Sequence, residues 1–308
     1  MECVPNFSEG REQWKIDAIK AAVSGPDGSV KILHTDTGYD ANRTVITFAG
    51  SPEAVVEAAF RGVRKAAELI DMRTHTGEHP RSGATDVLPL VPVSGITLEE
   101  CAEMARDLAR RIYSELGIPC YCYEAAAFTP ERKKLEYCRK GEYEALPQKI
   151  TDPMMKPDFG PETYNPTVAK SGATNVGARN FLIAVNFNID TDDAGIAGEI
   201  AKDVRESGRL VTMPDGSRQR IKGPLKGCKA IGWYMKEYGC AQVSMNITDI
   251  AATPLRVAYE TVCRAAAARG RKVTGTEIIG LVPKQCLADA GDLQLIIPPG
   301  RALPILCI

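Results

Sequence analysis

Histidine is scarce: three among 308 residues, so an imidazole-dependent chemistry has few places to sit. No long uninterrupted apolar run occurs, which argues against a membrane-spanning helix, and Met1 opens no positively charged, apolar leader. We therefore expect a cytoplasmic protein with no membrane partner. The ten cysteines include no C-x-x-C pair. They are scattered, and Cys101, Cys263 and Cys286 stand in apolar settings, so reduced structural thiols are expected rather than disulfides. Neither sign of charge is in excess. The formal net charge of −1 gives no global attraction to nucleic acid, and any anion site must be local.

At 308 residues the chain can bury a large core and exceeds the commonest single-domain size, so two subdomains are expected. Its first half reads as a strand at Glu2 to Asn6, then a helix from Arg11 to Val23 with Ile16, Ile19 and Val23 on one stripe. Gly25-Pro26-Asp27-Gly28 breaks that helix. Val30 to Thr35 is a strand; by alternation Ile32, His34 and Asp36 should share a face. A strand from Thr44 to Gly50 and a helix from Glu53 to Ile70 follow, with Ser51-Pro52 as its N-cap and first position. Asp86 to Val93 is a strand, and Thr97-Leu98-Glu99-Glu100 is a capping box opening a helix to Leu116. Pro119 to Glu124 is a further strand, whereas Lys149 to Thr174 looks loop-like.

The second half reads as a strand (Phe181 to Ile189), a helix (Thr191 to Ser207) and an exposed hairpin around Met213-Pro214-Asp215-Gly216. Paired strands (Lys229 to Met235, Ala241 to Ile247), a helix from Thr253-Pro254 to Gly270 and a strand from Val273 to Val282 complete it. That order, strand-helix-strand-strand-helix-strand, is the ferredoxin-like split unit, and the first half shows it too, with an added helix and strand.

Between the Glu53–Ile70 helix and the Asp86–Val93 strand lies the most chemically loaded stretch of the chain. It holds His75 and His79 together with Asp71, Arg73, Glu78, Arg81 and Asp86. Gly77 and Pro80 bracket His79, and neither suits a regular helix, so His79 should be presented on an irregular segment. His75-Thr76-Gly77-Glu78-His79 also satisfies H-x-x-E-H, a zinc-hydrolase pattern. That pattern works when a helix places both imidazoles on one face; the Gly and Pro argue against it. Gly172-Ala173-Thr174-Asn175-Val176-Gly177 lacks the G-K-[ST] ending of a phosphate loop and is not read as one.

Read as a whole, Asp71-Met72-Arg73-Thr74-His75-Thr76-Gly77-Glu78-His79-Pro80-Arg81-Ser82-Gly83-Ala84-Thr85-Asp86-Val87-Leu88-Pro89 resembles the signature of the formiminotransferase domain of formiminotransferase-cyclodeaminase. Glu2 to Gly10, Asn42-Arg43-Thr44-Val45, Gly141 to Pro147, Ile231-Gly232-Trp233-Tyr234 and Ala241-Gln242-Val243-Ser244 extend the likeness collinearly. The resemblance implies an α+β fold: two ferredoxin-like α/β subdomains, 1–180 and 181–308, packed with a ligand channel between them. It implies transfer of a formimino group between N5 of tetrahydrofolate and the amino group of glutamate, as in histidine breakdown and one-carbon folate metabolism. Tetrahydrofolate would be a co-substrate, with no metal, and the protein a homodimer. The bifunctional relatives continue into a cyclodeaminase domain. This chain stops at Ile308, so a monofunctional protein is expected.

Such a reaction needs a group that takes a proton from the incoming amine and returns one to N5. An imidazole with a pKa of about 6.5 suits both tasks. The resemblance places that role on His79, with Asp36 as its acidic partner. Residue type alone leaves His79 equally open to a capping role and favours a turn role for Asp36. Glu78, Arg81 and Arg43 carry charges suited to a glutamate or folate carboxylate, and equally to structural pairing. The family's folate-contacting segment maps onto Gly160-Pro161 through Ser171-Gly172, with Tyr164 available to stack, and onto Asp203-Val204-Arg205. Here the chain departs from the pattern: Asn165 to Lys170 looks longer than usual, and Ser171 stands where an aromatic residue is common. A formyl rather than formimino transferase, or a folate-binding module without activity, would share these features.

Overall fold

Strand and helix signals alternate through the first 180 residues and build a single mixed sheet. The computed structural model describes residues 1–26, 28–288, 293–296 and 305–306; Asp27 of the expected helix breaker lies outside them. The chain divides into two compact units, Met1–Asn180 and Phe181–Ile308.

In the first unit β1 (Glu2–Cys3) and β2 (Asn6–Phe7) form one strand interrupted at Val4-Pro5, where proline lacks the N–H that a ladder needs. α1 (Gln13–Ser24) buries the expected Ile16, Ile19 and Val23 and is closed by Gly25. β3 (Val30–Gly38) pairs with β4 (Arg43–Gly50), and β4 pairs antiparallel with β1 and β2. α2 (Pro52–Leu69) starts where expected, the Ser51 side chain accepting from the Ala54 N–H. β5 (Thr85–Val91) follows, then α3 (Leu98–Leu116), with both hydrogen bonds of the Thr97–Glu100 capping box formed. β6 (Cys120–Glu124), the short helices α4 (Leu135–Cys138), α5 (Leu146–Thr151) and α6 (Pro166–Ser171), and β7 (Thr174–Ala178) complete the unit. β7 runs parallel between β5 and β6.

Two expectations change. The run from 149 to 174 is not a loop throughout: Asn165 caps Val168 N and Pro166 takes the first turn, so the segment that looked overlong forms α6. In β3 the register slips between Ile32 and His34, which pair with Phe48 and Thr47. An extra residue reverses the alternation. Ile32 therefore joins the core side with Phe48, while His34 and Asp36 face the other way.

That division matters for function. Phe7, Phe48, Leu88, Leu90, Val176 and Cys122 face α2 and α3 and form the main core. The pairing registers place Asp36, Val45, Asn6, Val87, Asn175 and Tyr121 in one row on the opposite face. Asp36, Asn6 and Asn175 thus lie on the face that the long helices leave alone.

In the second unit β8 (Ile183–Ile189), α7 (Ala194–Val204), the exposed hairpin β9 (Arg209–Thr212) and β10 (Arg218–Ile221), and β11 (Cys228–Met235) follow in order. β12 (Cys240–Ile247), α8 (Leu255–Ala267), β13 (Val273–Ile279), β14 (Val282–Pro283), α9 (Lys284–Ala288) and β15 (Ile305–Leu306) come next. Strands order as β11-β12-β8-β13, all antiparallel. β13 is shorter than expected because Gly280, at φ +71, turns the chain. Val185, Phe187, Val243 and Met245 pack against α7 and α8 as a separate core. None of the nine described cysteines is in a disulfide; burial pushes the Cys138 and Cys228 thiols up to about 11. Among the described residues no helix is long and apolar enough to cross a membrane.

Candidate active site

Residues 71–83 between α2 and β5 form turns and extended backbone, so the helix that the zinc pattern requires is not formed. The loop is held by its neighbours. Asn42, in the tight β3–β4 connection at φ +47, accepts from Gly10 N through Oδ1 (2.9 Å) and donates through Nδ2 to Thr76 O (2.9 Å). Its carbonyl accepts from His75 Nε2 at 3.0 Å. Gly77 lies flat against this connection: a Cβ there would stand 2.4 Å from Ala41 O.

From the other side Arg81 pairs with Glu142 (3.2 Å) and Glu144 (2.6 Å), and its N–H donates to Glu142. Arg81 Nε also approaches His75 Nδ1 at 3.4 Å. With Nε2 donating and Nδ1 facing a guanidinium, His75 is a neutral strut. The charge of Arg81 is engaged structurally.

His79 Nδ1 lies 2.7 Å from Pro80 O. A carbonyl only accepts, so Nδ1 carries the hydrogen and Nε2 the lone pair. Nearby, Asp86 sits where the β2–β5 register shifts by one residue, between Thr85 and Val87. Its side chain accepts from Ser82 N (2.9 Å), Arg43 Nη1 (2.6 Å) and Arg139 Nη2 (2.8 Å). Arg43 Nε reaches Asn6 Oδ1 at 3.0 Å, and Asn175 Nδ2 donates to Asp86 O at 2.9 Å.

The charges decide protonation states. Burial pushes the Asp86 carboxyl up, but Arg139 and Arg43 together outweigh it, and the group stays below the ordinary carboxylate range. Burial pushes the His79 imidazole down, and Arg43 and Arg139 push the same way. Asp86 and the Pro80 carbonyl oppose them only in part, leaving His79 well below an ordinary histidine. It is therefore a neutral base near pH 7.

Asp36 is buried on the sheet face that carries Asn6 and Asn175, across from Val45. Ser171 and Gly172 adjoin the histidine loop directly: Ser171 O accepts from Ala84 N (2.8 Å), and Ala173 N donates to Ser82 O (2.9 Å). The space a Cβ would need at Gly172 is filled by Ser82 O, and at Gly160 by Pro157. Both glycines are thus required by the protein's own packing. Pro161 is half-buried, and Tyr164 is exposed with its hydroxyl 3.5 Å from that of Tyr143. In the second unit Asp203 pairs with Arg209 and Arg269, Val204 lies in the core, and Arg205 donates to Ala230 O (3.0 Å) and Gly208 O (3.2 Å).

Asn42, Asp86 and Arg139 were not among the sequence candidates. Asp86 lay within the loaded stretch but read as one charge among several. Arg139 follows α4 with no local pattern to mark it; only the tertiary fold brings it to Asp86.

One tautomer-locked imidazole has the chemistry of a proton acceptor, and the two guanidiniums that share a buried carboxylate beside it have that of an anion contact, on an α+β scaffold. Residues 1–179 match the formiminotransferase domain, N-terminal subdomain, and residues 184–296 the formiminotransferase domain. A glutamate formimidoyltransferase of Streptococcus pyogenes is 42% identical, covering 96% of this chain and 93% of the relative. One from Thermoplasma acidophilum is 41% identical over 96% and 92%. The formimidoyltransferase-cyclodeaminase of Gallus gallus is 46% identical over 96% of this chain but 52% of its own length. The chain thus spans about half the length of the bifunctional relatives it matches. The chain belongs to the formiminotransferase family.

Proposed function

We propose that the chain moves a formimino group between N5 of tetrahydrofolate and the amino group of glutamate. The observation that carries this reading is His79, held by Pro80 O as the Nδ1–H tautomer and kept neutral by its surroundings. Nε2 takes a proton from the amine, whose nitrogen attacks the formimino carbon. As the tetrahedral centre collapses, the carbon–N5 bond breaks and His79 returns the proton to N5. Asp36, buried on the sheet face that carries Asn6 and Asn175, is the supporting carboxylate of this reading, and Asp86 supplies negative charge beside the ring.

A flat pterin asks for aromatic surface and its carboxylate tail for cations. Tyr164 and Tyr143 are neighbours, and the Arg73 charge acts on both. Gly160, Pro161, Tyr164, Ser171 and Gly172 are the first folate segment of this reading, and Asp203, Val204 and Arg205 the second. The strand orders β3-β4-β1/β2-β5 and β11-β12-β8-β13 support one ferredoxin-like unit in each half, taken as the N-terminal (1–180) and C-terminal (181–308) subdomains. A homodimer in the cytoplasm completes the proposal; light scattering tests the former.

His79→Ala is expected to lower turnover of N-formiminoglutamate by roughly a hundredfold or more while folate affinity stays near the parent value. Unchanged turnover would overturn the assignment.

A further inference from the structure

We infer that Arg43 and Arg139, joined through Asp86, seat the α-carboxylate of the amino-acid substrate; the inference rests on the function proposed above. Two guanidiniums against one carboxylate leave one positive charge in excess, on side chains only 7% and 15% exposed. A charge withdrawn from water calls for an anion. Each guanidinium has five N–H groups in a planar fork, and Asp86 takes one from each. Arg139 Nε is buried without a hydrogen-bond partner, as are Oγ of Ser82, whose N–H holds the carboxylate, Oγ1 of Thr85, the chain neighbour of Asp86, and Oδ1 of Asn175, which reaches the Asp86 main-chain carbonyl. Polar capacity therefore gathers at this spot beyond what the protein uses.

Chemistry selects which carboxylate. The α-carboxylate is separated from the reacting amine nitrogen by a single carbon, whereas the γ-carboxylate lies at the far end of the side chain. Both arginine charges act on His79, and Ser82, which holds Asp86, is three residues beyond it. An anion tied to the reacting nitrogen must sit close to the base, which fits the α group and not the γ group.

The test compares the N-formimino derivatives of glutamate, isoglutamine (α-amide) and glutamine (γ-amide) as substrates of the full chain. Arg139→Gln is expected to lower kcat/KM for the glutamate derivative by about a hundredfold, the size of a lost charge-assisted contact. The α-amide derivative, which has no α-charge to lose, should be penalised at least about tenfold less than the glutamate derivative, the remainder reflecting the altered field at His79, and the discrimination against the γ-amide should be kept. Calorimetric binding of N-formylglutamate should weaken in parallel, with folate affinity unchanged. Arg139→Lys, which keeps the charge but not the fork, should restore part of the loss, and it carries the same comparison should Arg139→Gln fail to fold. An equal penalty on glutamate and α-amide derivatives, or loss of γ-amide discrimination, would overturn the inference. A parent protein that transfers no formimino group at all would instead overturn the functional reading.

Discussion

Gly77→Ala puts a single methyl group between the histidine loop and the β3–β4 connection. Its carbon would stand 2.4 Å from Ala41 O, 2.9 Å from Ala41 C and 3.0 Å from Asn42 Cβ. A carbon–oxygen contact settles at about 3.3 Å or more, so the two segments must part by about 1 Å. The connection resists, because Asn42 is held by Gly10 N and by Tyr39 O. The loop should therefore move, taking His79, two residues on, with it. A displacement of about 1 Å near a reacting centre costs roughly a hundredfold in rate, whereas overpacking costs only about 1–3 kcal/mol of stability. We predict that Gly77→Ala remains folded in urea titrations but loses between about ten- and a hundredfold in kcat. Gly198→Ala is the control: nothing lies within 4 Å of the added carbon, and it sits inside α7, so neither quantity should fall. A Gly77→Ala enzyme with kcat within about threefold of the parent would refute the view that this contact sets the position of His79.

Two further outcomes follow from the charges. Glu2 is 3% exposed, and burial raises its carboxyl from 4.5 to about 7, Arg179 countering only in part. A raised acid favours the fold below its unfolded value and loses that advantage as pH climbs through the folded one; Glu2→Gln should therefore gain about 2–3 kcal/mol near pH 8 and almost nothing near pH 4, and equal gains at both would count against it. For His79, held below 6.5 first by burial and then by Arg43 and Arg139, the acid limb of kcat/KM should lie below pH 6.5. The limb of kcat, which reports the loaded enzyme, should sit at higher pH, and coincident limbs would contradict an anion seated on the arginines.

Sequence patterns located the elements wherever local physics decides them. Ser51-Pro52 and the Thr97–Glu100 box each mark a helix start with their own side chains, and both helices begin there. β7 escaped notice because Thr174–Ala178 is five residues long, contains Gly177 and is buried along its whole length. It has neither alternation nor β-branched bulk throughout, and its partners lie far off in the chain. The slip at Ile32–His34 is equally silent, since a bulge is fixed by the neighbouring strand and not by the bulged one. The same logic divides the site. Gly77 and Pro80 announce an irregular mounting for His79, and the structure has one. Arg139, in contrast, is brought beside Asp86 by tertiary contacts, among them the pairs of Arg81 with Glu142 and Glu144, close behind Arg139 in the chain.

The excess positive charge also has a consequence for the order of events. On the mechanism and seating proposed above, Arg43 and Arg139 oppose protonation of His79 before the amino-acid substrate binds, so the ring waits as an unprotonated base. A carboxylate arriving at those guanidiniums cancels part of their field, and the imidazolium becomes less costly. The ring then gains basicity at the moment when the amine beside that carboxylate must lose a proton. Once His79 has passed that proton to N5 and the product has left, the uncancelled field of the two arginines keeps the ring unprotonated for the next cycle. A single carboxylate suits this behaviour: without Asp86 two buried guanidiniums would repel each other, and with a second carboxylate beside it no charge would remain to sense the substrate.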